Sequence, residues 1–156
     1  MQIGTNGFDL WVFHKQHPEP AYLLLHTSQE KADKWFNGGR FWQILGGPVR
    51  ENEDLEDALV RPLSERGLTP TGIWAVEHTY TFYNLRRRQI EILPVFAAQV
   101  PGPKAIPLSW EHSEFGWYSA AECMERLRFR GLKDGLRWAR EYVTEVASPL
   151  PELRVL

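Results

Sequence analysis

Two groups of charged side chains in this chain have the types and spacing that chemistry would use. Gly47-Pro48-Val49-Arg50-Glu51-Asn52-Glu53 leads, after seven residues, into Arg61-Pro62-Leu63-Ser64-Glu65-Arg66-Gly67-Leu68. Carboxylates three or four residues apart on a helix share a face and can hold a hard divalent cation together, while an arginine fork suits phosphate or carboxylate oxygens. Glu111 and Glu114 stand on a polar segment further on and could add a carboxylate or a base. Arg86, Arg87 and Arg88 form a short basic run that either grips a phosphate chain or solvates a turn. Glu51, Glu56 and Asp57 could also contribute, although Glu56 and Asp57 read most simply as acids favoured in a helix's first turn.

Other chemistries find less support. His14, His17, His26, His78 and His112 show no zinc-ligand spacing. Ser119 lacks a glycine-flanked elbow, and Cys123 falls among apolar neighbours, so neither reads as a nucleophile.

These residues need elements to position them. Phe8, Leu10 and Val12 alternate with Asp9 and Trp11, and the run at residues 21–25 follows the turn-forming segment at residues 17–20, which predicts a hairpin. Residues 27–41 read as a loop or short helix carrying Trp35 and Phe36. Residues 41–45 read as a strand stopped by Gly46 and Gly47. Leu55, Ala58, Leu59 and Leu63 follow helical spacing over residues 54–66, with Gly67 as the stop. Pro62 lies inside that helix, where its ring removes a hydrogen bond to Ala58, so a kink or early break is expected. Residues 73–83 and 89–100 predict an antiparallel pair joined by the arginine run. A short strand at residues 115–118, a capping box from Ser119 to Glu122, and a last helix over about residues 133–146 complete the pattern. Strands and helices in this order predict an α+β domain, an α/β/α sandwich with a mixed sheet between helices. Its core spans about residues 8–146 and its tail residues 147–156. Trp35, Phe36, Phe41, Trp42, Tyr80, Phe82 and Tyr83 belong mostly to the core, with one or two near the glycine loop free to stack on a base.

Composition narrows the field. The chain has 156 residues, 43% hydrophobic and 24% charged, with 18 basic against 20 acidic side chains. That suits one domain, and the near-neutral balance provides no broad nucleic-acid-binding surface. One cysteine excludes an intrachain disulfide, and no stretch approaches a membrane span, so a soluble, unexported, cytoplasmic protein is expected.

The spaced segment resembles the Nudix box, G-x5-E-x7-R-E-U-x-E-E-x-G-U with U aliphatic. Gly47, Glu53, Arg61, Leu63, Glu65, Gly67 and Leu68 take their places in it, with one residue missing before Gly67. Phe41-Trp42-Gln43, Gly46-Gly47, Trp110-Glu111-His112 and Glu114-Phe115-Gly116-Trp117 are similar to the branch containing dATP and dihydroneopterin-triphosphate pyrophosphohydrolases. The resemblance implies that Gly46, Gly47, Glu53, Arg61 and Gly67 are the structural members of the box, with Glu53 and Arg61 pairing to brace the loop against the helix. It implies Mg²⁺ or Mn²⁺ as cofactor, a nucleotide or other phosphorylated small molecule as ligand, and Glu65, Glu111 and Glu114 as catalytic candidates. A homodimer is compatible with it.

This chain departs from the pattern where metal would sit. Pro62 and Arg66 occupy two of the three helix glutamate positions, leaving Glu65 as the one helix carboxylate for a metal. A guanidinium in place of a carboxylate repels a divalent cation and attracts phosphate. The leading expectation is a Nudix-fold protein that binds a phosphorylated ligand, through Arg66 and residues 86–88, with hydrolysis weak or lost. The alternatives are an active hydrolase with a metal site rebuilt from Glu65, Glu111 or Glu114, and a protein-interaction module on the same fold.

Overall fold

The computed structural model describes residues 1–156. Its eight strands are β1 (Ile3–Gly4), β2 (Gly7–His14), β3 (Ala21–Thr27), β4 (Trp42–Gln43), β5 (Leu45–Pro48), β6 (Gly72–Asn84), β7 (Gln89–Gln99) and β8 (His112–Ser119). Four α-helices accompany them: α1 (Gln29–Trp35), α2 (Leu55–Ser64), α3 (Ala120–Arg126) and α4 (Arg130–Ala139).

β2 is the central strand, parallel to β7 from Asp9↔Val95 to Phe13↔Gln99. Its other edge is shared: β5 pairs with Gly7 to Leu10, and β3 takes over at Phe13 and His14. β3 in turn carries β8 along one edge and β4 at its far end, while β6 lies antiparallel on β7. Strand alternation sorts the core into two layers. Phe8, Leu10, Val12, Leu23 and Leu25 face Ala58, Leu59 and Leu63 of α2. Trp11, Phe13, Tyr22 and Leu24 face Cys123 of α3 and Leu132, Leu136 and Ala139 of α4. The expected α+β sandwich with a mixed sheet is therefore present.

Several local expectations change. Gly46 and Gly47 do not end a strand but form part of β5, because their flat backbone pairs with Phe8 and Asp9 of β2. Residues 42–48 thus cross from the edge of β3 to the edge of β2, turning at the buried Ile44. Helix α2 is not broken at Pro62 but continues to Ser64. Pro62 and its neighbours Leu59 and Leu63 are buried, and tertiary packing offsets the missing N–H. The helix ends in a Schellman motif: Leu68 N–H donates to Leu63 O at 2.9 Å and Gly67 N–H to Ser64 O at 3.0 Å. Gly67 sits at φ 70°, where a side chain would be strained.

The last helix starts earlier than predicted, at Arg130, and gives way at Arg140–Thr144 to a π-helical turn. Its start carries no side-chain cap, so nothing local announces it. Gly131 is required there by contact: a Cβ would lie 2.0 Å from the Tyr80 ring. Residues 147–156 do not trail away. Ile73 N–H donates to Leu156 O at 3.0 Å and Val155 N–H to Ile73 O at 2.8 Å, covering the outer edge of β6. No helix is long and apolar enough to cross a membrane.

Gly67→Ala should keep the fold but lower unfolding stability by about 1 kcal/mol, the usual cost of a left-handed alanine, measurable by urea denaturation.

Candidate functional site

The glycine loop is tied to α2 by one bidentate pair. Arg61 donates through Nε to Glu53 Oε1 at 3.1 Å and through Nη2 to Glu53 Oε2 at 2.8 Å, and Nη2 also reaches Pro48 O at 2.8 Å. Arg50 N–H donates to Glu53 Oε2 at 2.8 Å. The Arg61 hydrogen bonds, followed by that backbone bond, hold the Glu53 carboxyl below its ordinary range. The loop at residues 48–53 is thereby fixed against the helix.

At the far end of α2 the charge has the opposite character. Arg66 folds back so that Nη1 donates to Pro62 O at 2.8 Å, closing the carbonyls of the last turn. Burial lowers its pKa, partly offset by Glu65 and Glu111. The Glu65 carboxylate lies 3.9 Å from Arg66 Nη1 and is 60% exposed. Lys104 Nζ donates to Gly67 O at 2.8 Å, adding a second cation beside the helix end.

Glu111 and Glu114 do not join Glu65 as one cluster. Glu111 Oε1 is 3.5 Å from Lys31 Nζ, and the buried Lys31 also donates to Gln43 Oε1 at 3.0 Å. Glu114 points from β8 to the face that carries Tyr118 and α3, because residues two and four apart share a side of a strand. There its Oε1 lies 2.9 Å from His26 Nδ1, and the His26 ring stacks on Trp42 with centroids 4.6 Å apart. No three His, Cys, Asp or Glu side chains converge to hold a metal ion. The resemblance implies a divalent metal, but the donors at the C-terminal turn of α2 do not fit one: there a single carboxylate, the exposed Glu65, stands beside the Arg66 guanidinium.

The arginine run is divided by the hairpin turn between β6 and β7. Arg86 places its guanidinium carbon 3.9 Å from the centre of the Trp35 ring. Arg87 turns to Glu91, with Nη1 to Oε1 at 3.5 Å, and Arg88 is exposed at φ 53°. One of the three arginines therefore overhangs the interior of the site.

That interior is a cavity of about 400 Å³ between β6, α1, α4 and the 42–48 crossover. Phe36, Phe41 and Phe129 form one contiguous set of rings in its lining, with Phe41 edge-on to the other two at 5.0 Å between centroids, and Trp35, Tyr80 and Phe82 line it as well. Lys31, Arg86 and Glu111 stand among its polar lining, and Asp9, Gln43 and Ile44 also line it. A second hollow of about 300 Å³ shares Asp9, Gln43 and Arg86 and runs along Gly46, Gly47 and Pro48. His112 lies buried nearby with Nε2 unpartnered. Burial, then the fields of Lys31 and Arg66, push its pKa down to about 3, so the ring is neutral.

Asp9, Lys31 and Gln43 were not legible as site residues from local sequence. The available signal was Asp9 itself, an acid in register with Trp11 and Phe13 on an otherwise aromatic strand face. Burial raises its pKa to about 7. An acid with a raised folded pKa binds more protons folded than unfolded between about pH 4 and pH 7, so stability falls as pH rises through that window. Asp9→Asn should therefore leave the thermal midpoint near pH 4 almost unchanged and raise it increasingly toward pH 8, read by calorimetric melts across that range.

Comparison with known proteins accords with this geometry. The NUDIX domain family model matches residues 6–141. The NUDIX domain of Shewanella oneidensis NrtR, solved with ADP ribose, is 21% identical, with 92% of this chain and 90% of that chain covered at a TM-score of 0.68. The C. elegans Ap4A hydrolase binary complex is 18% identical, covering 88% and 96% at 0.68. The E. coli dihydroneopterin triphosphate pyrophosphohydrolase is 17% identical, covering 93% and 100% at 0.65. These likenesses show the fold. A curated relative, an octanoyltransferase of Myxococcus xanthus, is 30% identical over 124 residues, which are 78% of this chain but 33% of that protein, so the chain spans about a third of its length. With the family match running over nearly the whole sandwich and both halves of the glycine loop and helix, the chain belongs to the Nudix family.

Proposed function

We propose that this Nudix domain binds a nucleotide or a related phosphorylated small molecule and that its metal-dependent hydrolysis is weak or lost. The observation that carries the reading is Arg66, a partly buried guanidinium capping the helix end where carboxylates would gather a metal. In this reading a flat ring enters among the aromatic side chains of the cavity, where stacking on a base contributes about 1–3 kcal/mol. Lys31, Arg66 and Arg86 then donate to phosphate oxygens. A unit charge about 4 Å from another interacts by roughly 4 kcal/mol at an effective dielectric near 20, so a cation favours a phosphate there as strongly as it opposes a divalent metal.

Glu111 does not restore the balance, because Lys31 neutralises it. Glu65 alone, largely in water, would give a metal one weak anchor. Acyl transfer of the kind named for the Myxococcus relative is not part of this proposal. The lone thiol, Cys123, is buried and its pKa is pushed up to about 12, which makes it a poor nucleophile. A buried, unpaired thiol also suits a reducing compartment such as the cytoplasm.

Calorimetric titration with ADP in excess EDTA should show binding, weakened tenfold or more in Arg66→Gln and little changed by added Mg²⁺. No phosphate release is expected from a nucleotide panel with Mg²⁺ or Mn²⁺. Binding that disappears on chelation, or turnover that collapses in Glu65→Gln, would overturn the reading.

A further inference from the structure

The hollow of about 300 Å³ beside the aromatic cavity differs from it in chemistry and is left unused by the binding of a ring and its phosphates. The two spaces share Asp9, Gln43, Phe82, Asn84, Arg86 and Leu93, so a ligand can extend from one into the other. Beyond that shared border the hollow adds Arg87 and Glu91. Glu91 comes from β7 and is only 3% exposed. One of its oxygens is fully engaged: Asn84 Nδ2 donates to Oε1 at 3.2 Å, Gln89 Nε2 donates to it at 3.0 Å, and Arg87 Nη1 lies 3.5 Å away. The Asn84 amide is itself held in that sense, because its Oδ1 accepts from the backbone N–H of Arg86 at 3.0 Å and of Arg87 at 3.1 Å. Glu91 Oε2 has no protein partner, and it stands over Gly4, where a Cβ would collide with it.

With three donors on Oε1, the carboxylate presents one fixed oxygen that only accepts. An acceptor on a buried side chain is costly to leave unmet, and a donor on a ligand recovers that cost. We infer that this hollow is a subsite for a vicinal diol carried by the ligand's ring, as on a ribose, with Glu91 as its specificity-determining residue. One hydroxyl donates to Glu91 Oε2. The neighbouring hydroxyl accepts from the Arg87 guanidinium, which lines the same hollow and commits only Nη1 to Glu91.

The mixed charge of the lining narrows the class of group that fits. Glu91 repels a phosphate, and burying Arg86 and Arg87 against an apolar group would cost them their solvation. A neutral group that donates and accepts at adjacent atoms meets both demands, and the Phe82 ring offers an apolar surface to its C–H bonds. Removal of the diol leaves Glu91 Oε2 unpaired, and rejection of a ligand that strands a buried polar group is the strong kind of discrimination.

This inference rests on the aromatic cavity being the ligand's ring site, and the experiment separates it from the phosphate reading. ADP, 2′,3′-dideoxy-ADP, adenosine and 2′,3′-dideoxyadenosine are titrated calorimetrically in EDTA against the full chain and against Glu91→Gln and Glu91→Leu, each first shown folded by circular dichroism. Wild type should bind each diol at least tenfold more tightly than its dideoxy counterpart. Glu91→Gln keeps an oxygen for Asn84, Gln89 and Arg87 but puts a neutral amide where Oε2 stood, and a hydrogen bond to a charged group is the stronger one. Its margin should fall at least threefold while its affinity for 2′,3′-dideoxy-ADP stays within threefold of wild type. Glu91→Leu should abolish the margin. Equal binding of diol and dideoxy forms by wild type, an unchanged margin in Glu91→Leu, or an equal loss for both forms in Glu91→Gln, as expected of a hairpin brace alone, overturns the inference. ADP binding no tighter than adenosine overturns the phosphate reading alone, since the adenosine pair still reads the diol. No binding of any of the four at millimolar concentration overturns both.

Discussion

The double-sided burial of β2 and β3 is the constraint from which the other features of this molecule follow. Each strand sends alternate residues into two separate cores, one roofed by α2 and the other by α3 and α4. A slip of one residue would exchange the two sets and place Trp11 under a helix shaped for leucines. With register held this way, Asp9 must lie on the α4 side, at the end of β2 where β3 has already diverged and the 42–48 crossover has taken its place. The cavity exists because that divergence leaves room which the aromatic side chains border without filling.

Helix α2 keeps the architecture of its family while reversing the charge at one end. The Glu53–Arg61 pair, with its extra bond to Pro48 O, anchors the loop at the start. At the finish, Pro62 is accommodated by packing, and Arg66 and Lys104 take up the terminal carbonyls. Cations are favoured at a helix C-terminus by the backbone dipole, so the exchange of carboxylate for guanidinium is compatible with helix stability even as it disfavours a metal. The Glu53–Arg61 brace and the Arg66 end of the helix occupy different turns, so the brace does not depend on the charge that stands at the helix end.

Lys31 links the two regions. It is buried, and burial lowers its pKa while Glu111 opposes that shift. Its bonds to Gln43 and Glu111 connect α1, the crossover and the loop before β8 at the cavity edge. Through this contact the aromatic enclosure and the Arg66 region share one electrostatic neighbourhood, and the nearby His112 is held neutral in it.

The sequence by itself was enough for what depends on local spacing. The glycine loop, the helix after it, the Glu53–Arg61 distance, the Ser119 capping box and the arginine hairpin are all short-range patterns that the structure reproduces. The persistence of α2 through Pro62, the start of the last helix at Arg130 and the return of the chain end to β6 depend on packing across the molecule, and they are absent from any local pattern. The separation of Glu114 from Glu65 follows from which face of β8 each neighbour occupies, and the grouping of Asp9, Lys31 and Gln43 comes from three elements that meet only when the sheet divides. Spacing along a chain determines which groups can share a turn. Only the folded sheet, by choosing the side and the depth of each residue, decided which of them meet in one cavity.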